Sequence, residues 1–189
     1  MIADMDSDGE PADDHAAHEG HGHAHAVHHG DTLKHYVDAA RVASAVRELA
    51  EGWTKPGVKL LELAEKIEQE IQSQGAKMGF QACLSLNECA AHDTPKIGDV
   101  RVLSETDTVK VDFGVHQEGC IIDQAFTFSA DNQHTALIDA SKQALEDALS
   151  VMRAGKSVRD VGAAIESAIT KKGFKPIMNL CGHNLMPWT

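Results

Sequence analysis

Apolar residues recur with the spacing of an α-helix in two segments before the middle of the chain. The first segment begins at Leu33 and ends before TKPG (54–57), which predicts a turn. The second runs from Val58 to Ser73, and Gly75 is placed to end it. The apolar stripe of the first helix is predicted to comprise Val37, Ala40, Val46, Leu49 and Ala50. That of the second comprises Leu60, Leu61, Leu63, Ala64, Ile67 and Ile71.

The stretch VKVDFGVHQEGCIID (109–123) contains two runs rich in β-branched residues and predicts a β-hairpin. A shorter strand, QACLSLN (81–87), precedes it, and the Pro and Gly of ECAAHDTPKIGD predict a loop between them. With the turn centred on Gln117 and Glu118, Asp112 and Asp123 lie directly opposite each other on the apolar face of the hairpin.

Two ionised carboxylates in such a pair repel each other, and partial burial strengthens the repulsion. The hairpin pattern leaves three alternatives. The carboxylates share a proton, or cations lie between them as in a two-metal site, or a shifted register places both in solvent.

Helical spacing returns over residues 135–153 and again in SVRDVGAAIESAITKKG, with Ser157 as the predicted N-cap and Gly173 as the stop. KPIMNL (175–180) predicts one more strand. Helices come in pairs between the strands instead of alternating singly with them, and there is no GxGxxG or Walker A loop. The predicted fold class is therefore α+β.

Residues 1–31 differ in composition from the rest of the chain. They hold eight acids, seven histidines and no Lys or Arg, and so carry eight of the twelve net negative charges. We expect a disordered, acidic, His-rich tail, because the segment has too little apolar surface to offset its ordering entropy. Its histidines could gather divalent metal, but a solvated tail is the simpler interpretation. The remaining body is mildly acidic, which argues against nucleic acid as a partner.

The four cysteines, Cys83, Cys89, Cys120 and Cys181, form no CxxC pair. No signal peptide and no membrane-spanning apolar run is recognisable in the sequence. Together these features predict reduced thiols, a cytoplasmic location and no membrane partner.

Three motifs, CLSLNECAAHDTP, VDFGVHQEGCIIDQAFT and GFKPIMNLCGHN, in this order, resemble the type 2 methionine aminopeptidases. These enzymes belong to the pita-bread (creatinase/aminopeptidase) metallopeptidase superfamily, and the resemblance covers residues 33–189. It implies an α+β pita-bread fold and a hydrolase that removes the initiator methionine from nascent proteins. It also implies two divalent metal ions (Mn, Co, Fe or Zn) that activate a water. The implied partners are peptide or nascent-protein N-termini and the ribosome.

The resemblance assigns roles to five residues of this sequence. Asp112 would chelate one metal ion, Asp123 would bridge both, and His183 would ligate the other. His92, in CAAHDTP, would contact the substrate near the scissile peptide and act in catalysis. Phe80 would form a wall of the methionine side-chain pocket. His116 and His134 are predicted to be surface residues.

Departures from the family pattern limit what these residues can do alone. The family completes its metal site with a second histidine and two glutamates that follow the last motif, and this sequence ends at Thr189. We therefore expect residues 32–189 to be the N-terminal portion of a catalytic domain. On this expectation the pita-bread fold is incomplete at the C-terminus, and metal binding and activity are weak or absent. Gln81 and Cys181 replace the proline and the small polar residue usual in the family.

Three other functions remain open. A proline-specific aminopeptidase P or prolidase is the nearest rival, but it would lack the CAAHDTP-like segment. A non-catalytic pita-bread protein would bind ribosomes or nucleic acid, and would tend to carry a basic surface. A metal-buffering protein would depend on the His-rich tail, but would leave the two aspartates of the hairpin without a role.

Overall fold

The computed structural model describes residues 29–188, so residues 1–28 of the predicted disordered tail lie outside the described part. Helix α1 (His29–Trp53) begins before Leu33, where helical spacing starts in the sequence. Within the described residues, no helix is long and apolar enough to cross a membrane.

Helix α1 packs on the sheet through a stripe that differs from the predicted one. Val37 and Leu49, both expected on the buried stripe, are each 41% exposed. The pattern was ambiguous because alanine occurs on several faces of this helix. The face with the smallest side chains approaches the sheet most closely and leaves the larger ones outside. The buried residues are Ala39, Ala43, Val46 and Ala50.

Helix α2 (Leu60–Ser73) follows its predicted pattern, and every predicted stripe residue except the half-buried Leu61 is buried. Gly75 ends the helix region with a φ of +77°, a conformation that glycine adopts without a steric penalty. The link between the helices is tied to a later loop, since Gly57 N–H donates to Leu103 O and Leu60 N–H donates to Arg101 O.

Three antiparallel strands form one sheet in the order β1-β2-β3: β1 (Lys77–Leu86), β2 (Thr108–Gln117) and β3 (Cys120–Ser129). Strand β1 begins before the predicted QACLSLN segment. Alternate residues of β2 point towards α1 and α2 and form the centre of the core. These fully buried residues are Val109, Val111, Phe113 and Val115. Both helices lie on this face, and neither of them covers the opposite face of the sheet, which is called the open face below.

Helices α3 (Thr135–Val151) and α4 (Val158–Lys171) pack against each other through small side chains such as Ala144 and Ala168. Ser157 caps α4 as predicted, because its hydroxyl accepts a hydrogen bond from Arg159 N–H. The prediction of a strand over residues 175–180 is wrong, since this segment is irregular. A strand needs a neighbour with which to exchange backbone hydrogen bonds, and no strand of the described residues pairs with it.

Candidate functional site

The open face of the sheet carries both aspartates of the hairpin. Val111 and Phe113 point into the core, so Asp112 between them points the other way. Asp123 on β3 lies on the same open face and pairs with Gly114. The prediction that both aspartates lie on the apolar face of their strands is therefore wrong. The sequence misled because apolar residues occur on both faces of the hairpin: Phe113 and Val115 point to the core, whereas Ile121 pairs with His116 on the open face.

The turn of the hairpin lies one residue later than predicted. Glu118 and Gly119 form it, with φ of +47° and +81°, and Gln117 pairs with Cys120. Two successive positive φ values are typical of the tight turns that join antiparallel strands. Asp112 consequently pairs with Ala125, and the predicted direct pairing with Asp123 is wrong. The register moves by two residues, so the aspartates remain diagonal neighbours on one face.

The two carboxyl groups interact strongly in spite of the corrected register. The pKa of Asp112 is raised to about 6, chiefly by burial and also by the charge of Asp123 and a hydrogen bond with it, while the charge of His92 acts in the opposite direction. The Oδ1 atom of Asp112 is buried and has no hydrogen-bond partner among the described residues. A buried oxygen without a donor beside a second carboxylate favours a proton or a cation between the two groups.

His183 approaches this pair from the irregular C-terminal segment. Its Nε2 atom lies 3.6 Å from Asp123 Oδ2, and its side chain is 62% exposed. The segment is held at its end, since Trp188 N–H donates to Gly119 O and Tyr36 Oη donates to Leu185 O. The backbone contacts around the hairpin turn thus keep His183 near Asp123.

The prediction that His116 is a surface residue is wrong, because the residue is half-buried beside the turn. Its ring stacks edge-on against Trp188 with 5.5 Å between centroids, and its Nδ1 accepts a hydrogen bond from Gly119 N–H. Burial is the main reason that the pKa of His116 is lowered. His134, by contrast, is exposed as predicted.

His92 and Phe80 border the aspartates on the side of β1. His92 lies in the loop after β1, is exposed, and has a φ of +66°. The Phe80 ring lies over Gly114, where a Cβ atom would be 2.4 Å from Phe80 Cδ1. Only glycine at position 114 leaves room for the Phe80 ring, which lies beside the pair formed by Gly114 and Asp123. The structure therefore gathers all five predicted site residues around one face.

Cys83 is a neighbour of Asp112 that was not predicted from the sequence to lie at the site. It pairs with Asp112 across β1 and β2, and its sulfur lies 3.3 Å from Thr94 Oγ1. The β1–β2 register contains irregularities between Met78 and Cys83, so this pairing could not be read by counting from Asp112.

The donors on this face fit a divalent cation in kind, but they form only part of a ligand set. Carboxylate oxygens and an imidazole nitrogen suit Mn, Co, Fe and Zn. Across residues 29–188, however, no group of three or more His, Cys, Asp or Glu side chains converges closely enough to hold a metal ion. Asp112 and Asp123 form the centre of the site, and His183 contacts only Asp123.

Comparisons with known proteins find likenesses both in sequence and in structure. A sequence model described as Metallopeptidase family M24 matches residues 34–186. A methionine aminopeptidase of Pyrococcus horikoshii is 52% identical over 149 residues, which are 79% of this chain and 50% of that protein. A methionine aminopeptidase of Archaeoglobus fulgidus is 49% identical over 153 residues, 80% of this chain and 52% of that protein.

Among solved structures, a methionine aminopeptidase from Rickettsia prowazekii matches with a TM-score of 0.75 and 21% identity, covering 84% of this chain and 67% of that one. An X-Pro aminopeptidase from Thermotoga maritima matches with a TM-score of 0.66 and 19% identity, covering 78% of this chain and 42% of that one. These likenesses confirm the predicted α+β pita-bread fold. The chain spans about half the length of the curated relatives it matches.

Proposed function

Because the chain belongs to Metallopeptidase family M24, we propose that it forms part of an aminopeptidase that removes the initiator methionine from nascent proteins. Residues 32–189 would be the N-terminal portion of the catalytic domain. The observation that carries the proposal is the pair of carboxyl groups on the open face of the sheet. Among the residues that the structure describes, a buried oxygen of Asp112 has no hydrogen-bond partner, and Asp123 lies beside it.

The donor atoms of this pair are suited to holding divalent cations. Asp112 and Asp123 would provide carboxylate oxygens, and His183 would provide its Nε2 atom, which already faces Asp123. Two bound ions (Mn, Co, Fe or Zn) would supply an activated water and stabilise the negative charge that develops on the scissile carbonyl oxygen. Without a cation, burial and the negative charge of Asp123 both disfavour the ionised form of Asp112, and its pKa is raised.

His92 and Phe80 would bind the substrate on either side of the scissile bond. His92 is exposed on its loop and close enough to Asp112 for its charge to lower the pKa of that carboxyl. Its ring can therefore donate a hydrogen bond to a peptide carbonyl bound above the aspartates. Phe80 presents a ring face over Gly114, and an aromatic wall suits the flexible thioether of methionine.

The wider setting is also part of the proposal. The substrates would be peptide and nascent-protein N-termini, met at the ribosome in the cytoplasm. All four cysteines are free, which fits a reducing compartment.

A proline-specific peptidase is the second candidate, because the fold is shared with the X-Pro aminopeptidase from Thermotoga maritima. That likeness rests on 19% identity, whereas the likeness to the methionine aminopeptidase of Pyrococcus horikoshii rests on 52%. The preferred substrate is the property that separates the two candidates.

The test replaces the matching segment of the Pyrococcus horikoshii methionine aminopeptidase with residues 32–186 of this chain. Free methionine released from a Met-Ala-Ser peptide is measured with Mn²⁺ or Co²⁺ present, alongside the parent enzyme. The chimera should release methionine, and Asp123→Asn should lower the rate at least about 100-fold, as expected for loss of a group that organises the reacting centre. His92→Ala should lower turnover by a similar factor and leave the metal content unchanged.

Two results would contradict the proposal. One is a folded, metal-loaded chimera that cleaves a Met-Pro dipeptide in preference to Met-Ala-Ser. The other is an Asp123→Asn chimera as active as its parent. Exposed Asp139→Asn on α3 is the matched control and should leave the rate unchanged.

A further inference from the structure

The loop that carries His92 adopts a conformation that needs support from its surroundings. A φ of +66° is unfavourable for a residue with a Cβ atom, so neighbouring contacts must maintain it. Part of this support comes from the backbone of the next residue. Asp93 O accepts a 2.7 Å hydrogen bond from Leu84 N–H, and Asp93 N–H donates to Ser85 Oγ at 3.3 Å. These bonds attach one side of the loop to strand β1.

The side chain of Asp93 is held by Arg101 on the other side of the loop. Two guanidinium nitrogens donate to the two carboxylate oxygens of Asp93, at 2.6 and 3.0 Å. The same guanidinium donates to Asp99 at 2.7 to 3.1 Å, and Arg101 N–H donates to Asp99 Oδ1 at 2.8 Å. A paired contact of this kind fixes both distance and orientation, because the guanidinium is planar.

The backbone of Arg101 is itself anchored to the core. Its carbonyl accepts a hydrogen bond of 3.0 Å from Leu60 N–H at the first residue of α2. Leu103 N–H donates to Val58 O at 2.9 Å, so the segment that follows Arg101 is tied to the α1–α2 link as well. Leu60 and Leu103 are both fully buried. The Arg101 side chain is thus a short arm that extends from a rigid part of the fold to the loop.

The geometry points to Asp93 and Arg101 as positioning residues: their paired contact holds the loop so that the His92 ring faces the open side of the sheet beside Asp112. This inference rests on the proposed function, since His92 receives its catalytic role there. This contact between Asp93 and Arg101, called the clamp below, acts through the backbone of Asp93. It touches neither the substrate nor the reacting atoms. The contact lies near the surface, with the side chain of Arg101 41% exposed and that of Asp93 26% exposed, so its removal should change the loop more than the core.

The experiment uses the full 189-residue chain without metal, studied by NMR. Arg101→Gln removes the clamp, and Arg101→Lys keeps the charge but loses the paired geometry. The amide of Leu84 reports the attachment of the loop, and the ring signal of His92 reports its placement. Arg47→Gln is the control for the loss of a surface arginine, since it breaks an exposed ion pair with Glu51 within α1, far from the loop in sequence.

In Arg101→Gln, the Leu84 amide should exchange at least tenfold faster and the His92 ring signal should move towards its position in an unfolded chain. Arg101→Lys should give intermediate values, and Arg47→Gln should match the unchanged protein. The amide of Val111 in the core should stay within twofold in every variant.

Unchanged Leu84 and His92 signals in Arg101→Gln would overturn the inference. Faster exchange at Val111 in parallel with Leu84 would also overturn it, because the pair would then stabilise the whole fold instead of the loop. Neither readout depends on hydrolysis. The experiment can therefore refute the role of Asp93 and Arg101 without refuting the proposed aminopeptidase function. Conversely, the activity test can refute that function without refuting the role of the two residues.

Discussion

Replacing Asp112 by asparagine should stabilise the metal-free chain at neutral pH. The ionised form of Asp112 is disfavoured in the folded state by burial and by the negative charge of Asp123, which raise its pKa from 3.8 to about 6. Asparagine is close in size, carries no charge, and can donate a hydrogen bond to Asp123. The substitution removes the repulsion without leaving a cavity.

The magnitude follows from the pKa difference between the folded and unfolded states. A shift from 3.8 to about 6 corresponds to about 3 kcal/mol at 1.36 kcal/mol per pKa unit. Asp112 is only half-buried, and solvent screening reduces this to about 1–2 kcal/mol. Well below pH 3.8 the carboxyl group is protonated in both states and costs nothing. As the pH rises from 3.8 through about 6, the unfolded state ionises before the folded state does, so stability is lost over this range and the loss is complete above it.

The assay is urea denaturation of both proteins with EDTA present, at pH values from 4 to 8. The difference in unfolding free energy should grow in favour of Asp112→Asn by about 1–2 kcal/mol between pH 4 and pH 7.5. Asp107→Asn is a control for which the pH dependence of the stability difference should have the opposite sign. Hydrogen bonds from Asn87 and from the backbone of Ser104 lower the pKa of Asp107, so its contribution is lost as the pH falls. A difference for Asp112→Asn that does not change with pH would refute the reasoning.

Three further substitutions test the local structure. Gly119→Ala should lower the free energy of unfolding by about 1–2 kcal/mol, because φ is +81° and the new Cβ would lie 2.4 Å from the Trp188 ring. A shift in tryptophan fluorescence should accompany the loss, and an unchanged melting temperature would contradict the prediction. Ser157→Ala should cost about 1 kcal/mol by removing the N-cap of α4, measured by thermal unfolding. His183→Ala should stay within about 0.5 kcal/mol of the unchanged protein, because the ring is largely exposed and its nearest acidic partner, Asp123, is 3.6 Å away; a larger loss would show that the C-terminal segment depends on this histidine.

The sequence predicted α2 well because its apolar residues are large and fall on a single stripe. It predicted the stripe of α1 poorly, since alanines on several faces give no contrast between buried and exposed positions. The strand predicted at 175–180 failed for a different reason. β-branched and apolar residues favour a strand only where a neighbouring strand can pair with it, and that condition depends on tertiary structure.

The hairpin pattern brought Asp112 and Asp123 together as a pair, and the resemblance supplied the other residues of the candidate site. The tight turn at Glu118 and Gly119 shifted the register by two residues, an even number, and so preserved the shared face of Asp112 and Asp123. A shift of one residue would have separated them. The support of His92 by Arg101 was not predictable, because it depends on how the loop folds back onto α2.

The measurement that tests the central claim most directly is an NMR titration of the full chain with Mn²⁺, whose unpaired electrons broaden the signals of nearby nuclei. The account predicts that signals of Asp112 and Asp123 broaden first among the described residues, followed by the ring of His183, while those of α4 remain sharp. Asp123→Asn should abolish this pattern. Broadening confined to the histidines of residues 15–29, with β2 and β3 unaffected, would contradict the account and favour a metal-binding tail.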